Sequence, residues 1–350
     1  MTLLQALILG IIQGATEFLP ISSSGHLVLA ETFLGLNVEG LLSFDVVLHA
    51  GTLMALILYF RGTLVGMAKG LWIDMKKMLK PEGRQELRNP DNPREQVWYL
   101  IVATLPVVFL APFLKEVIEQ YFRSASVVIG MMGVTAVLLV LAEVFGKRKE
   151  TQMNSLKTAL LMGFFQVMAI IPGISRSGST IVGGLLGGLE REAAAKFAFL
   201  MAIPAIAGAT IFLSKDLFGA VNGGQMVSGG ALAVGFGSSM LVSLVCIYGM
   251  LKFLRKRSLW VFVGYLLMIN GYWFLLHSSS GFSLQFRRIF VLWGICFWGM
   301  DYGFSGADRI LGGLTGGVHL QSRLFLMGYY ESSTPQTSSW GRASGPETGA

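Results

Sequence analysis

Gln13 and Glu17 stand four residues apart, a spacing that puts both side chains on one face of a helix. Their segment is otherwise apolar, and an ionisable carboxylate in such a segment marks a functional site by default. Directly after it come Ser22, Ser23, Ser24, Gly25 and His26. Three hydroxyls, a flexible residue and an imidazole therefore follow one carboxylate within a short stretch. A second polar cluster, PGISRSGST (172–180), carries Ser175, Arg176, Ser177, Gly178 and Thr180. Arg176 presents five N–H donors in a planar fork that matches phosphate oxygens. Glycines let backbone N–H groups approach an anion, and the start of a helix adds its positive dipole end. Ser22, Ser24, Ser175, Ser177, Gly178 and Thr180 are the candidates for lining such an anion cradle.

These residue types together suit phosphoryl transfer, which needs charge neutralisation and positioning more than covalent chemistry from the protein. A serine is a weak nucleophile unless a base takes its proton, and His26 is close in sequence to Ser22 and Ser23. Glu17 has several available roles: it could orient His26, act as the base itself, or hold a divalent cation with Gln13. A serine or a water molecule could attack the phosphorus. The plain alternatives are helix capping by a serine, a Glu17 that reaches to the membrane surface, and a structural Arg176–Glu17 ion pair.

The surrounding composition says where this chemistry sits. The chain has 350 residues, of which 53% are hydrophobic and 13% charged, with a mean hydropathy of +0.62. Soluble domains average about 25% charged residues. The formal charge of +7 comes from Lys and Arg between apolar blocks. It reads as loop charge and attraction to anionic lipid rather than as a nucleic-acid surface. Cys246 and Cys296 have no metal spacing. The first apolar segment lacks a basic start and is not read as a cleavable signal peptide.

A membrane span takes about 20 apolar residues. The stretches 44–60, 97–114, 125–145, 193–213, 228–251 and 259–276 qualify or come close. The apolar stretches 3–35 and 158–189 are each interrupted by one of the polar clusters. Irregular backbone at membrane depth is tolerated only where it is buried in protein or lines a wet cavity. Each interrupted stretch therefore reads as two half-helices that dip in and return. A gapless shift of 153 residues aligns Gly10 with Gly163, Gln13 with Gln166, Ile21 with Ile174, Ser22 with Ser175, Ser24 with Ser177 and Gly25 with Gly178. This reads as an internal duplication. The basic loops 61–94, 147–157 and 252–257 fall on one side if both interrupted stretches return without crossing. Each half then crosses three times and the halves are inverted, as in membrane proteins whose sites form from discontinuous helices. The expectation is an all-α polytopic membrane protein with six transmembrane helices and two re-entrant helical hairpins in an inverted-topology repeat. Its membrane domain would run over 1–277, with repeats of about 1–145 and 154–277. Residues 278–350 read as a poorly ordered tail.

QGATEFLPISSSGH (13–26) and PGISRSGST (172–180) resemble the two signature motifs of the bacterial undecaprenyl-diphosphatases of the bacitracin-resistance type, over about residues 1–276. The resemblance implies hydrolysis of the C55 isoprenyl diphosphate to the monophosphate and inorganic phosphate, recycling the lipid carrier for cell-wall synthesis. It implies a divalent cation, Mg2+ or Ca2+, and a multi-pass protein of the cytoplasmic (inner) membrane whose site opens to the outer face. Its first motif has Glu or Gln and then Glu four residues later, matched by Gln13 and Glu17. The motif serine corresponds to Ser23 and the histidine to His26; Ser175, Arg176, Ser177 and Thr180 match the second motif. The catalytic set implied is Glu17, Ser23, His26 and Arg176, and Gln13 in place of Glu weakens a two-carboxylate metal site. The partners implied are a polyprenyl diphosphate and membrane lipids, with no nucleic acid and with a homodimer left open. A polyprenyl-phosphate transporter or flippase is the rival: it needs the phosphate site but no nucleophile. His49, in FDVVLHAGT, is read as a helix-packing residue.

Overall fold

Hydroxyl side chains start many of the helices. Thr2, Ser22, Ser124, Ser155, Ser175 and Ser228 each accept a backbone N–H from the first turn that follows. At Thr2 the bond is reciprocal, since Gln5 Oε1 accepts the Thr2 N–H at 2.8 Å. The computed structural model describes residues 1–36, 41–78, 93–121, 124–146, 150–220 and 227–277. Among them the regular structure is helical throughout, apart from a single bridge between Glu150 and Leu189. In chain order the helices are α1 (Leu3–Thr16), α2 (Ser23–Phe33), α3 (Leu42–Tyr59), α4 (Arg61–Met78), α5 (Pro93–Tyr121), α6 (Ala125–Phe145), α7 (Leu156–Met168), α8 (Arg176–Leu186), α9 (Arg191–Ala220), α10 (Gly229–Leu254) and α11 (Trp260–His277).

The helices follow the sequence reading closely. Both interrupted stretches break at their polar clusters, giving the pairs α1/α2 and α7/α8. Stretches long and apolar enough to cross a bilayer occur at Glu95–Leu114, Ala125–Phe145, Arg191–Phe212 and Gly229–Leu254. Ser43–Tyr59 and Arg61–Trp72 add a further one if the pair, bent by 71°, counts as a single span. Trp260–Leu275 is apolar but shorter. The protein is thus a multi-pass membrane protein by length and composition. Where the sequence reading places only a basic loop after Phe60, the chain continues as α4, because Arg61–Met78 holds good helix formers and no proline. The tail from 278 onward lies outside the described residues, as does Cys296.

Large apolar side chains point outward from these helices: Phe113 is 80% exposed, Val245 71% and Phe109 65%. In water such a surface would be an interaction patch; on helices of this length it is the face that meets acyl chains. The interior combines buried large apolar side chains, among them Phe18, Leu56, Met132 and Phe199, with close approaches at small residues, as in membrane bundles. α1 packs against α10 and α7 against α5. Gly10 and Gly163, the first aligned pair of the 153-residue shift, sit at these two contacts. A Cβ on Gly10 would lie 2.7 Å from the Gly235 carbonyl oxygen, and one on Gly163 would come 2.9 Å from Pro106 Cγ. Buried serines tie α10 inward: Ser239 Oγ donates to the Leu48 carbonyl oxygen at 2.8 Å. The breaks of the two half-helix pairs meet, with the Gly173 N–H bonded to Ser24 Oγ.

Candidate active site

α1 ends one turn after Gln13, and Glu17 continues its last turn, its N–H donating to the Gln13 carbonyl oxygen at 3.0 Å. The Glu17 side chain is only 3% exposed. A bare carboxylate there would be prohibitive, so its partners matter. Gln13 Nε2 donates to Glu17 Oε2 at 2.8 Å, and Ser23 Oγ donates to the same oxygen at 2.6 Å. From the other half of the chain, the Arg176 guanidinium closes on Glu17 Oε1. The sequence expectation that Gln13 and Glu17 share a face is met by a direct bond between them.

Arg176 is the first residue of α8 and its side chain is 22% exposed. Only one of its terminal nitrogens bonds to Glu17; its remaining N–H groups have no acceptor among the described residues. They are available to an anion.

The two broken-helix turns are bonded to each other. The Gly173 N–H donates to Ser24 Oγ at 3.2 Å, and Ser177 Oγ donates to the Leu19 carbonyl oxygen at 2.9 Å. Beneath them, Thr135 of α6 accepts the Ser175 N–H at 3.0 Å and donates to the Gly173 carbonyl oxygen at 3.3 Å. Gly173 has φ +93° and a Cβ there would overlap the Val128 carbonyl oxygen, so only glycine fits.

The other predicted ligands divide by what their polar atoms do. Ser22 and Ser175 cap α2 and α8, each accepting a backbone N–H, from Gly25 at 3.3 Å and from Gly178 at 3.0 Å. The Gly178 N–H is thereby used within the turn. Thr180 is buried and donates back to the Arg176 carbonyl oxygen at 2.8 Å, so any ligand would meet its oxygen as an acceptor. Ser22 also shares a hydrogen bond with Ser24 at 3.2 Å.

His26 stands differently from its sequence reading as a base for Ser22 or Ser23. Its Nδ1 donates to the Ser22 carbonyl oxygen at 2.7 Å, which fixes the proton on that nitrogen because a carbonyl only accepts. Its Nε2 then accepts from the Tyr265 hydroxyl at 2.7 Å. Both ring nitrogens are occupied, and the base contact of Ser23 is Glu17. Closeness in sequence misleads because His26 lies one helical turn on from Ser22 and folds back on its carbonyl instead. The carbonyl in question belongs to a strained residue: Ser22 has φ 70° and ψ 99°, the only non-glycine with positive φ among the described residues. Such a conformation costs about 1–3 kcal/mol and persists only where neighbours enforce it.

Residues outside the two motifs complete the site. The sequence context of His49 suggests helix packing, yet its Nε2 lies 3.7 Å from Glu17 Oε2 with the side chain 31% exposed. Its Nδ1 donates to the Asp45 carbonyl oxygen at 2.7 Å, which aims Nε2 at the carboxylate. Tyr265 carries no signal in sequence beyond being polar within an apolar helix.

For a divalent cation the donor chemistry is suitable. Gln13 Oε1 is buried without a donor beside the Glu17 carboxylate, and both are hard oxygens. No group of three His, Cys, Asp or Glu gathers among the described residues, so the protein offers too few ligands for a closed cage.

An all-helical membrane protein with an arginine–carboxylate–serine site built from two broken helices is thus defined by fold and geometry. Comparison with known proteins gives the family. Residues 6–272 match the family described as Bacitracin resistance protein BacA. The chain is 41% identical over 274 residues to the undecaprenyl-diphosphatase of Pelobacter propionicus, covering 77% of this chain and 96% of that one. It is 39% identical over 272 residues to the undecaprenyl-diphosphatase of Alteromonas mediterranea, covering 77% and 97%. The same identity holds over 267 residues to that of Trichlorobacter lovleyi, covering 76% and 93%. The chain belongs to the bacitracin resistance protein BacA family.

Proposed function

We propose that this protein hydrolyses undecaprenyl diphosphate to undecaprenyl phosphate and inorganic phosphate, and so recycles the lipid carrier of cell-wall synthesis and confers bacitracin resistance. Family membership and the names of its relatives support the activity. The observation that carries the mechanism is the convergence of Ser23, Arg176 and Gln13 on one buried carboxylate, that of Glu17.

In the reaction, the free N–H groups of Arg176 hold the terminal phosphate and neutralise charge that develops on its oxygens. Ser23 Oγ attacks the phosphorus as Glu17 Oε2, already its hydrogen-bond acceptor, takes the hydroxyl proton. The bond from phosphorus to the bridging oxygen breaks, and the lipid monophosphate leaves. Glu17 passes the hydroxyl proton to the departing monophosphate; water then attacks the phosphoserine, gives a proton to the freed carboxylate, and Glu17 returns it to Ser23 Oγ as inorganic phosphate leaves. Ser22, Ser24, Ser175 and Ser177 shape the cradle; Gly178 and Thr180 support it from behind. A divalent cation, Mg2+ or Ca2+, would be held by Gln13 Oε1 and Glu17 together with diphosphate oxygens. When bound it supplies charge neutralisation.

The finer topology belongs to the same reading. α1, α2, α7 and α8 have 14, 11, 13 and 11 residues. At about 1.5 Å per residue none spans a hydrocarbon core of about 30 Å. That supports two re-entrant hairpins beside six crossings, in inverted repeats over about 1–145 and 154–277. The basic loops then lie in the cytoplasm and the site opens to the outer face of the cytoplasmic membrane. A transporter would need Arg176 but has no use for a hydroxyl bonded to a carboxylate. Purified protein given farnesyl or undecaprenyl diphosphate, with and without chelator, should release phosphate and lose that activity on chelation. Absence of release from either lipid would refute the reading.

A further inference from the structure

Tyr265 lies on α11, about 240 residues from the first motif and outside both polar clusters. Its hydroxyl donates to His26 Nε2 at 2.7 Å, and the two rings are nearly parallel, 5° apart in plane. His26 Nδ1 donates in turn to the Ser22 carbonyl oxygen at 2.7 Å. Ser22 is the left-handed residue that starts α2, and the residue after it is Ser23, whose Oγ bonds to Glu17 at 2.6 Å. A continuous line of contacts thus runs from α11 through the imidazole to the backbone that aims the nucleophile.

Every alternative acceptor for that imidazole is absent from its hydrogen bonds. The ring touches neither Glu17 nor Ser23 through a nitrogen, so proton abstraction is not what its placement provides. Turning the imidazole about its side-chain bonds would break both of its bonds at once. The ring is thereby a brace with fixed ends: the tyrosine at one and the strained carbonyl at the other. α11 also packs directly against α6, whose Thr135 supports the second polar turn. α11, which holds His26 through Tyr265, is therefore seated on α6, which holds Ser175 through Thr135.

We propose that Tyr265 is a positioning residue for the phosphatase reaction, holding His26 so that its Nδ1–H fixes the Ser22 carbonyl and aims Ser23 at Glu17. The proposal rests on the hydrolase reading above. It assigns α11 a part in catalysis through a contact with His26.

The test uses the full-length protein in detergent with farnesyl diphosphate, comparing wild type with Tyr265→Phe, a change that removes one oxygen and keeps the ring. Wild-type phosphate release first establishes the activity; its absence would overturn the hydrolase reading and this proposal with it, whereas release by wild type with undiminished turnover in Tyr265→Phe would overturn this proposal alone. The expected result for Tyr265→Phe is a kcat lower by about tenfold, the loss of one hydrogen bond's positioning. KM should stay within about twofold and the melting temperature should be unchanged. In protein carrying 15N-labelled histidine rings, the His26 Nε2 resonance, assigned by its absence in His26→Asn, should shift when the tyrosine hydroxyl is removed. A kcat within about twofold of wild type would overturn the proposal, as would an unshifted His26 resonance. A fall in kcat matched by a fall in the fraction of folded protein would also overturn it, because that is a packing role.

Discussion

Arg176 and Glu17 are 159 residues apart in the chain, and the guanidinium of one closes on a carboxylate oxygen of the other. Glu17 is almost wholly buried, while Arg176 keeps part of its surface open. The pair is the electrostatic support of a buried acid and, on the proposed function, the open half of an anion site.

Those two duties separate by substitution. Arg176→Lys keeps a cation near Glu17 but loses the forked donor set, so turnover should fall about 100-fold or more with little loss of stability. Arg176→Ala strands the buried carboxylate at a cost of about 3–5 kcal/mol, and thermal unfolding should show it. Phosphate release and melting curves on the two variants check the separation; equal melting temperatures would contradict it.

Ser23 and Ser24 are neighbours with different work. Ser23→Ala removes the hydroxyl bonded to Glu17 and should reduce turnover about a thousandfold or more. Ser24→Ala removes the acceptor of the Gly173 N–H, leaving a polar group short of a partner at about 1–3 kcal/mol. Rapid quench of the wild type with undecaprenyl diphosphate should trap phosphate on Ser23. Sustained turnover by Ser23→Ala would move the attack to water.

His49 offers a prediction that its sequence context hides. Its Nε2 faces Glu17 at 3.7 Å, so His49→Leu should lower kcat about tenfold while leaving the protein folded. A helix-packing residue would instead tolerate leucine with full turnover, which steady-state kinetics would reveal.

A control lies away from the site. Glu143, on α6, accepts from Arg191 Nη2 at 2.7 Å and from the Leu259 N–H at 2.7 Å, joining α6, α9 and the start of α11. Glu143→Gln should lower the melting temperature, since a buried ion pair loses one charge. The kcat of the remaining folded enzyme should be near wild type. A selective loss of kcat would show that this joint is coupled to the site.

Much of this arrangement is legible in the chain because membrane constraints are severe. Apolar length marks α3, α5, α6, α9, α10 and α11, and the polar clusters mark where α1/α2 and α7/α8 break, since unpaired backbone is not tolerated at depth. Gln13, Glu17 and Arg176 stand out as polar groups in apolar surroundings, and they do meet. What the sequence does not convey is long-range partnership for residues outside the two polar clusters. Glu17 to His49 and His26 to Tyr265 are contacts across helices, with no period or motif linking the residues. Local distance misleads at His26 for the same reason: its partner is chosen by helix geometry and by α11. The helix α4 escapes a hydropathy reading because its residues are charged and polar enough to resemble a loop.

The most direct measurement is phosphate release from undecaprenyl diphosphate by purified wild type beside Glu17→Gln, an isosteric change that removes the charge on which Gln13, Ser23 and Arg176 converge. Release by the wild type and its loss in Glu17→Gln, with the variant still folded, is the predicted result. Turnover by Glu17→Gln near that of the wild type would contradict the account.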